Sequence, residues 1–207
     1  ILNFDKHFGD FSVLANFGAA TTSRKLSSLN GSSGYYTLPG LAALANGNNQ
    51  TTSENYSKKR VNSVLGNATI GYKSMAYLDV TARNDWSSTL PADNRSYFYP
   101  SVSLSGILSE MFHLPEPVSY WKVRGSWAQV GNDTEPYKLV NTYELNKTNG
   151  NIINANSSST FPLFDLKPEN TTSWELGTEL RVFNNRLGLD LTYYSSNTTN
   201  QILSVTM

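Results

Sequence analysis

The sequence predicts an all-β, antiparallel fold, and three observations carry that expectation. Apolar and polar residues alternate with period two over at least seven segments. The connections between those segments are short and long in turn. The composition is polar without being charged: of 207 residues only 15% are charged, against 39% apolar and 12% aromatic. Lys+Arg and Asp+Glu both number 16, and Asn, Ser and Thr together supply about a third of the chain, well above ordinary usage.

The alternation is clearest in four segments. In Tyr77–Asp85, Leu78, Val80 and Ala82 alternate with Asp79, Thr81 and Arg83. In Trp174–Phe183, Trp174, Leu176, Leu180 and Val182 alternate with Glu175, Gly177, Glu179 and Arg181. Leu187, Leu189, Leu191 and Tyr193 face Gly188, Asp190 and Thr192, and Trp121, Val123, Gly125 and Trp127 face Lys122, Arg124 and Ser126. Weaker versions run through Phe11–Ala19, Val61–Tyr72 and Ser101–Leu108, and the opening residues also read as a strand. A helix would space its apolar residues by three and four, which none of these segments does.

Lys73-Ser74 and Asn184-Asn185 suit tight turns, and Pro115 and Pro117 keep the medium connection Ser109–Val118 from becoming a long helix. The expected long loops are Thr21–Lys59, Trp86–Phe98 and Asn132–Thr171. Counting strands up and down in turn puts every short connection at one end and every long loop at the other. That segregation fits a membrane barrel with short turns on one side and long loops on the other. A soluble sandwich burying its apolar face in its own core remains the alternative at this level.

Several function classes lose ground. Zero net charge argues against a nucleic-acid footprint. Zero cysteines exclude a disulfide scaffold and thiolate metal sites, and His7 and His113 alone make a poor metal centre. No cofactor and no metal is expected. Asp79/Asp85 and Glu175/Glu179 could be carboxylate pairs of the glycosidase kind, but Arg83 and Arg181 lie at the right positions to be their ion-pair partners. Ser87 and Ser88 have no histidine near them in sequence. Gly34, Gly40 and Gly47 form no phosphate-cradling motif. No catalytic residues are assigned. The repeated Asn-x-Ser/Thr triplets, as at Asn30, Asn55 and Asn170, follow from composition. Trp86, Tyr97, Phe98 and Tyr99 towards the loops, with Trp121 and Phe183 towards the turns, suggest two aromatic girdles.

Three stretches then narrow the choice. Arg83-Asn84-Asp85-Trp86-Ser87-Ser88 is followed by Tyr99-Pro100-Ser101-Val102-Ser103. Next comes Lys122-Val123-Arg124-Gly125-Ser126-Trp127-Ala128-Gln129-Val130-Gly131-Asn132. Last come Trp174-Glu175 and Tyr193-Tyr194. In this order and spacing the chain resembles the barrel of SusC/RagA-type TonB-linked outer-membrane transporters of Bacteroidetes. The match covers most of residues 60–207, with Tyr99 where Phe is usual and Trp127 where Tyr is common.

The resemblance implies that residues 1–207 are a section of a barrel of about 22 strands, with long extracellular loops and short periplasmic turns. The plug and the N-terminal extension are absent from this chain. It implies a bacterial outer-membrane location and no enzyme activity. The implied partners are the rest of the barrel and its plug, outer-membrane lipid, a SusD-like surface lipoprotein, and the TonB complex through parts outside this chain. The implied substrate is an oligosaccharide or a peptide. Among loop residues, Trp86, Arg95, Tyr97, Asp133 and Tyr137 are the candidates for meeting substrate or lipoprotein. The alternative is a soluble or surface-attached β-sandwich that binds carbohydrate. The face rule gives the sharpest expectation: Leu78, Val80, Leu176, Leu180, Leu189 and Leu191 towards lipid, and Arg83, Arg124, Glu179 and Asp190 inward.

Overall fold

A computed structural model describes residues 1–140 and 162–203 in full and two further strands, Tyr143–Thr148 and Ile152–Ser157, by their backbone. Ten strands follow one another: β1 Leu2–Phe8, β2 Phe11–Ser32, β3 Thr51–Tyr72, β4 Ala76–Ser87, β5 Ser96–Ile107, β6 Val118–Asn132, β7 Tyr143–Thr148, β8 Ile152–Ser157, β9 Glu169–Val182 and β10 Leu187–Thr199. Eight form one antiparallel sheet in the order β1-β2-β3-β4-β5-β6-β9-β10, and β7 and β8 pair separately. The sheet is open, with β1 and β10 as its edges. All seven segments read as strands from the sequence lie in this sheet.

The turn end is built from Gly9-Asp10, Lys73–Met75, Leu108–Pro117 and Phe183–Arg186. Lys73, Ser74, Asn184 and Asn185 all adopt positive φ, between 48° and 63°, the conformation that tight hairpins demand. Leu108–Met111 forms a four-residue helix, α1. Asp10 and Lys73 tie adjacent turns at 3.2 Å; the hydrogen bond and charge of Asp10 hold the lysine above its ordinary pKa.

One expectation is corrected. Thr21–Lys59 is not a loop throughout: β2 and β3 run on as a ribbon, paired without a break from Phe11↔Tyr72 to Ser32↔Thr51. Ladder hydrogen bonds need only backbone groups, so strands continue where apolar alternation has stopped. Thr and Ser side chains brace the ribbon, with Ser32 and Thr51 hydroxyls 2.6 Å apart and Thr21 donating to Asn62 at 3.1 Å. The connection proper is Ser33–Gln50. The β4–β5 loop likewise shortens to Ser88–Arg95.

Register sorts the side chains, because directly paired residues share a face. Leu78 pairs with Ile70 and Leu104, Leu104 with Gly125, Gly125 with Leu176, and Leu176 with Tyr193. Leu180 joins Leu189 and Trp121 in the same phase. The opposite face carries every charged residue of β4, β6, β9 and β10: Asp79, Arg83, Asp85, Lys122, Arg124, Glu169, Glu175, Glu179, Arg181 and Asp190. All ten residues of the face expectation stand where the alternation put them.

Aromatics divide as sharply. All four Trp (Trp86, Trp121, Trp127 and Trp174) and every Phe within the eight strands lie on the apolar face. The aromatics of the charged face are all Tyr: Tyr77, Tyr97, Tyr99, Tyr120 and Tyr194. The girdle expectation is therefore corrected for Tyr97 and Tyr99, whose height suits a girdle but whose parity turns their hydroxyls inward. A phenol buried in hydrocarbon would lose its hydrogen bond, and on a polar face it keeps one.

Neither face of the sheet is packed against another layer of the described residues. Among the described residues the only buried apolar side chains are Leu90 and Leu166, both in loops, while Leu189 and Leu191 are 51% and 56% exposed. A sandwich would have covered them. On β2 and β3 the outward apolar stretch runs from Phe11 to Ala19 and from Val64 to Tyr72, about nine residues each, the length a tilted strand needs to cross hydrocarbon.

Val80 lies near the middle of that band and Leu180 close to the turns. Val80→Arg in the complete barrel should cost about 2–4 kcal/mol, Leu180→Arg less, and the inward Thr81→Arg about nothing, read from unfolding titrations in lipid. Residues 1–207 alone have two long unpaired edges and should aggregate in plain buffer. Size-exclusion chromatography showing a cooperatively melting monomer would contradict the open-sheet reading.

Candidate functional site at the mouth of the lumen

The motif residues converge at the long-loop end of the charged face. Period two carries Arg83, Asp85 and Ser87 inward together on β4. Arg83 reaches Asp85 at 2.8 Å and Ser63 on β3 at 3.1 Å, while the Tyr99 hydroxyl donates to the other Asp85 oxygen. The Arg83 guanidinium also lies over the Tyr99 ring, 5.7 Å from its centroid. Asp85 is nearly enclosed, yet both its oxygens are occupied, as a buried carboxylate requires.

A second cluster adjoins it. Asp133, just past β6 and only 7% exposed, accepts from Lys59 of β3, from Ser87 at the end of β4 and from Thr89 at 3.3 Å. β5 lies between β4 and β6, so this chain segment bends inward across the top of β5. Pro100, which has no N–H to donate, immediately precedes the last β5–β6 pair, Ser101↔Ala128. Where the two strands part, the Tyr97 ring stacks on Tyr99 with centroids 5.8 Å apart and lies against Gly131. A Cβ at Gly131 would come within 2.5 Å of that ring.

The long-loop segments are tied to one another. Arg60 N–H donates to Ser88 Oγ at 2.9 Å, and Ser88 N–H returns a bond to the Arg60 carbonyl at 2.9 Å. Asn94 donates to Asp165 at 2.8 Å, and Asn132 to Glu169 at 3.2 Å. Lower on the same face, Arg124 reaches across Gly177 to Asp190 at 2.8 Å and Thr192 at 2.6 Å. A Cβ at Gly177 would strike its Nε at 2.5 Å. Glu179 meets Arg181 at 2.6 Å. The carboxylates that could have been read as an acid–base pair are thus occupied by arginines and hydroxyls, an arrangement that braces the wall. Among the described residues no three His, Asp or Glu side chains gather to hold a metal.

The five candidate loop residues fall in different places. Tyr97 and Asp133 belong to the mouth cluster. Trp86 stands on the outward face, paired with Asn62 and Ser96. Arg95 is exposed, and its carbonyl accepts from Ser87 N–H at 3.0 Å. Tyr137 is exposed with φ 67°. Lys59, Ser63, Thr89 and Tyr99 complete the cluster beyond the five candidates, together with Arg83, Asp85 and Ser87, which the sequence offers only as an ion pair and a serine without a histidine. The available signal was the shared parity of Arg83, Asp85 and Ser87. Of the expected loop Asn132–Thr171, residues 141–142, 149–151 and 158–161 lie outside the described residues.

Comparison with known proteins agrees with this geometry. The family "TonB dependent receptor-like, beta-barrel" matches residues 2–207. The chain belongs to the TonB-dependent receptor β-barrel family. It is 29% identical over 160 residues to TonB-dependent receptor P26 of Formosa agariphila, covering 75% of this chain and 16% of that protein. TonB-dependent receptor P3 of the same organism is 29% identical over 146 residues, covering 66% and 14%. In fold this chain is similar to a section of the RagAB peptide transporter, with TM-score 0.85 at 20% identity over 99% of this chain and 24% of that one. A "closed-closed" RagAB peptide importer gives 0.82 at 20% identity, covering 95% and 22%. The chain therefore spans less than a quarter of its TonB-dependent relatives.

Asp133→Ala should leave Lys59 without its carboxylate and the mutually bonded Ser87–Thr89 hydroxyl pair without its outside acceptor, at a cost of about 1–3 kcal/mol in the complete barrel. Denaturant titration measures it. Gly131→Val should destabilise as well, by displacing Tyr97.

Proposed function

We propose that this chain is a section of the wall of an outer-membrane TonB-dependent nutrient importer that takes up oligosaccharides or peptides with a SusD-like surface lipoprotein. The observation that supports the reading is the division of the sheet into an apolar face holding all its Trp and Phe and a face holding all the charges of β4, β6, β9 and β10. With no core of described residues on either side, lipid satisfies the first and a water-filled lumen or plug the second. Family membership and the RagAB fold support the same conclusion. The section performs no covalent chemistry in this reading: it supplies wall, polar lumen and surface loops, while energy transfer from the TonB complex reaches it through other parts of the transporter. The loops at this end, with Arg95 and Tyr137 exposed, are the surfaces offered to substrate and lipoprotein, and Tyr97 and the enclosed Asp133 hold them in place.

Cysteine scanning of the complete transporter in intact cells tests the topology. Asp93→Cys, in the β4–β5 loop, should react with a membrane-impermeant maleimide, and Asn185→Cys, in a tight turn, should not. The reverse pattern would invert the wall.

A further inference from the structure

Near the turns the outward face carries one charge, Lys6 opposite Val13, and at the long-loop end it departs from its rule more widely. Above the apolar band, β2 and β3 turn polar at Thr21 and Asn62, and then present Lys25, Lys58 and Arg60. Lys25 and Lys58 are directly opposite each other, a like-charge pairing that destabilises a sheet unless it is neutralised. The lumen side shows how such a juxtaposition is met: Arg24 stands opposite Lys59, and Lys59 is answered by Asp133. Among the described residues Lys25, Lys58 and Arg60 have no acidic partner within 4.0 Å. The acid on their own face, Glu54, lies four residues beyond Lys58, about 13 Å along the strand. Lys25 rests over Tyr56, 5.3 Å from the ring centroid.

Directly below runs a shallow apolar groove. Its floor is Gly66 and Ala82, which pair with each other, and Phe17 and Phe98 wall it. A cationic cluster at headgroup height over an apolar channel at hydrocarbon height is complementary to a single amphiphile with an anionic head. We propose that Lys25, Lys58 and Arg60, with the groove beneath them, bind the phosphorylated headgroup and one acyl chain of an outer-leaflet lipid. The proposal rests on the outer-membrane placement above. From Arg60 to Gly66 is about 20 Å along the strand, the reach of one lipid tail. The site pins the emerging ribbon to the membrane surface by filling the charge gap that the fold itself leaves.

Native mass spectrometry of the complete transporter, purified and titrated with diphosphoryl lipid A or dioleoylphosphatidylglycerol, tests it against dioleoylphosphatidylcholine. The Lys25→Gln/Lys58→Gln/Arg60→Gln variant should lose affinity for the anionic lipids on the order of a hundredfold, about fivefold per cation, with phosphatidylcholine unchanged. Gly66→Leu fills the groove, where a Cβ meets Phe17 at 3.5 Å and the Asn16 carbonyl at 3.6 Å, both ordinary contacts. It should weaken the acylated probes about tenfold and leave a deacylated glucosamine phosphate unaffected. Equal anionic-lipid binding by wild type and triple variant overturns the proposal, as does a triple variant that keeps its lipid but loses a co-purifying acidic protein. A transporter that fractionates with the outer membrane but shows no anionic preference fails this proposal alone. One that never enters the membrane fraction fails the membrane reading as well.

Discussion

The constraint on which the rest of the structure depends is that backbone N–H and C=O groups have no water to bond in hydrocarbon. Each must find its partner on a neighbouring strand. The unbroken ladder from Phe11↔Tyr72 upward, and the near-continuous pairing of β6 with β9, broken by one irregularity at Val118/Tyr120, meet that demand. Once the ladder is fixed, side-chain direction is fixed with it at period two, and a one-residue slip would send Asp79, Arg83 and Glu179 into lipid. The division of faces follows from the pairing, and the pairing is held in place by the cost of violating the division.

The same constraint explains where the irregularities fall. Pro100 and the glycines at 131 and 177 sit where a long side chain must cross a strand or where two strands separate, and each gap is filled by a specific neighbour, Tyr97 or Arg124. Among the described residues the positive-φ positions are confined to turns, loops and the last position after β10, none of them within a strand. Strain is kept out of the segment that lipid surrounds, where a broken ladder bond could not be repaired by solvent.

At the mouth the physical problem changes from satisfying backbone to holding chain ends together. Asp85 and Asp133 do this by collecting donors from β3, β4, β5 and the loops, so that several connections share two carboxylates. Enclosed carboxylates bound this fully contribute register more than net stability. The stretches Arg83–Ser88 and Gly131–Asp133 are two sides of this one knot, and their spacing reflects the geometry of a strand end and its returning neighbour.

The sequence by itself determined the eight strands of the main sheet, their two faces, the tight turns and the family, because each depends on residues within a few positions: alternation, turn chemistry and short motifs. β7 and β8 lie inside the expected loop Asn132–Thr171 and correct it. It made the charges on the inner face legible down to Arg83, Arg124, Glu179 and Asp190. The extended β2–β3 ribbon escaped it, since Ser- and Thr-rich strands above the membrane need no apolar alternation. The inward turn of Tyr97 and Tyr99 escaped it because height and parity were not separated. Only the tertiary structure decided which remote groups meet. Lys59 and Asp133 are separated by 74 positions, and their contact depends on how β3 to β6 stack side by side and how the chain bends over β5. Pairing between distant strands is set by the ladder as a whole, and no local pattern encodes it.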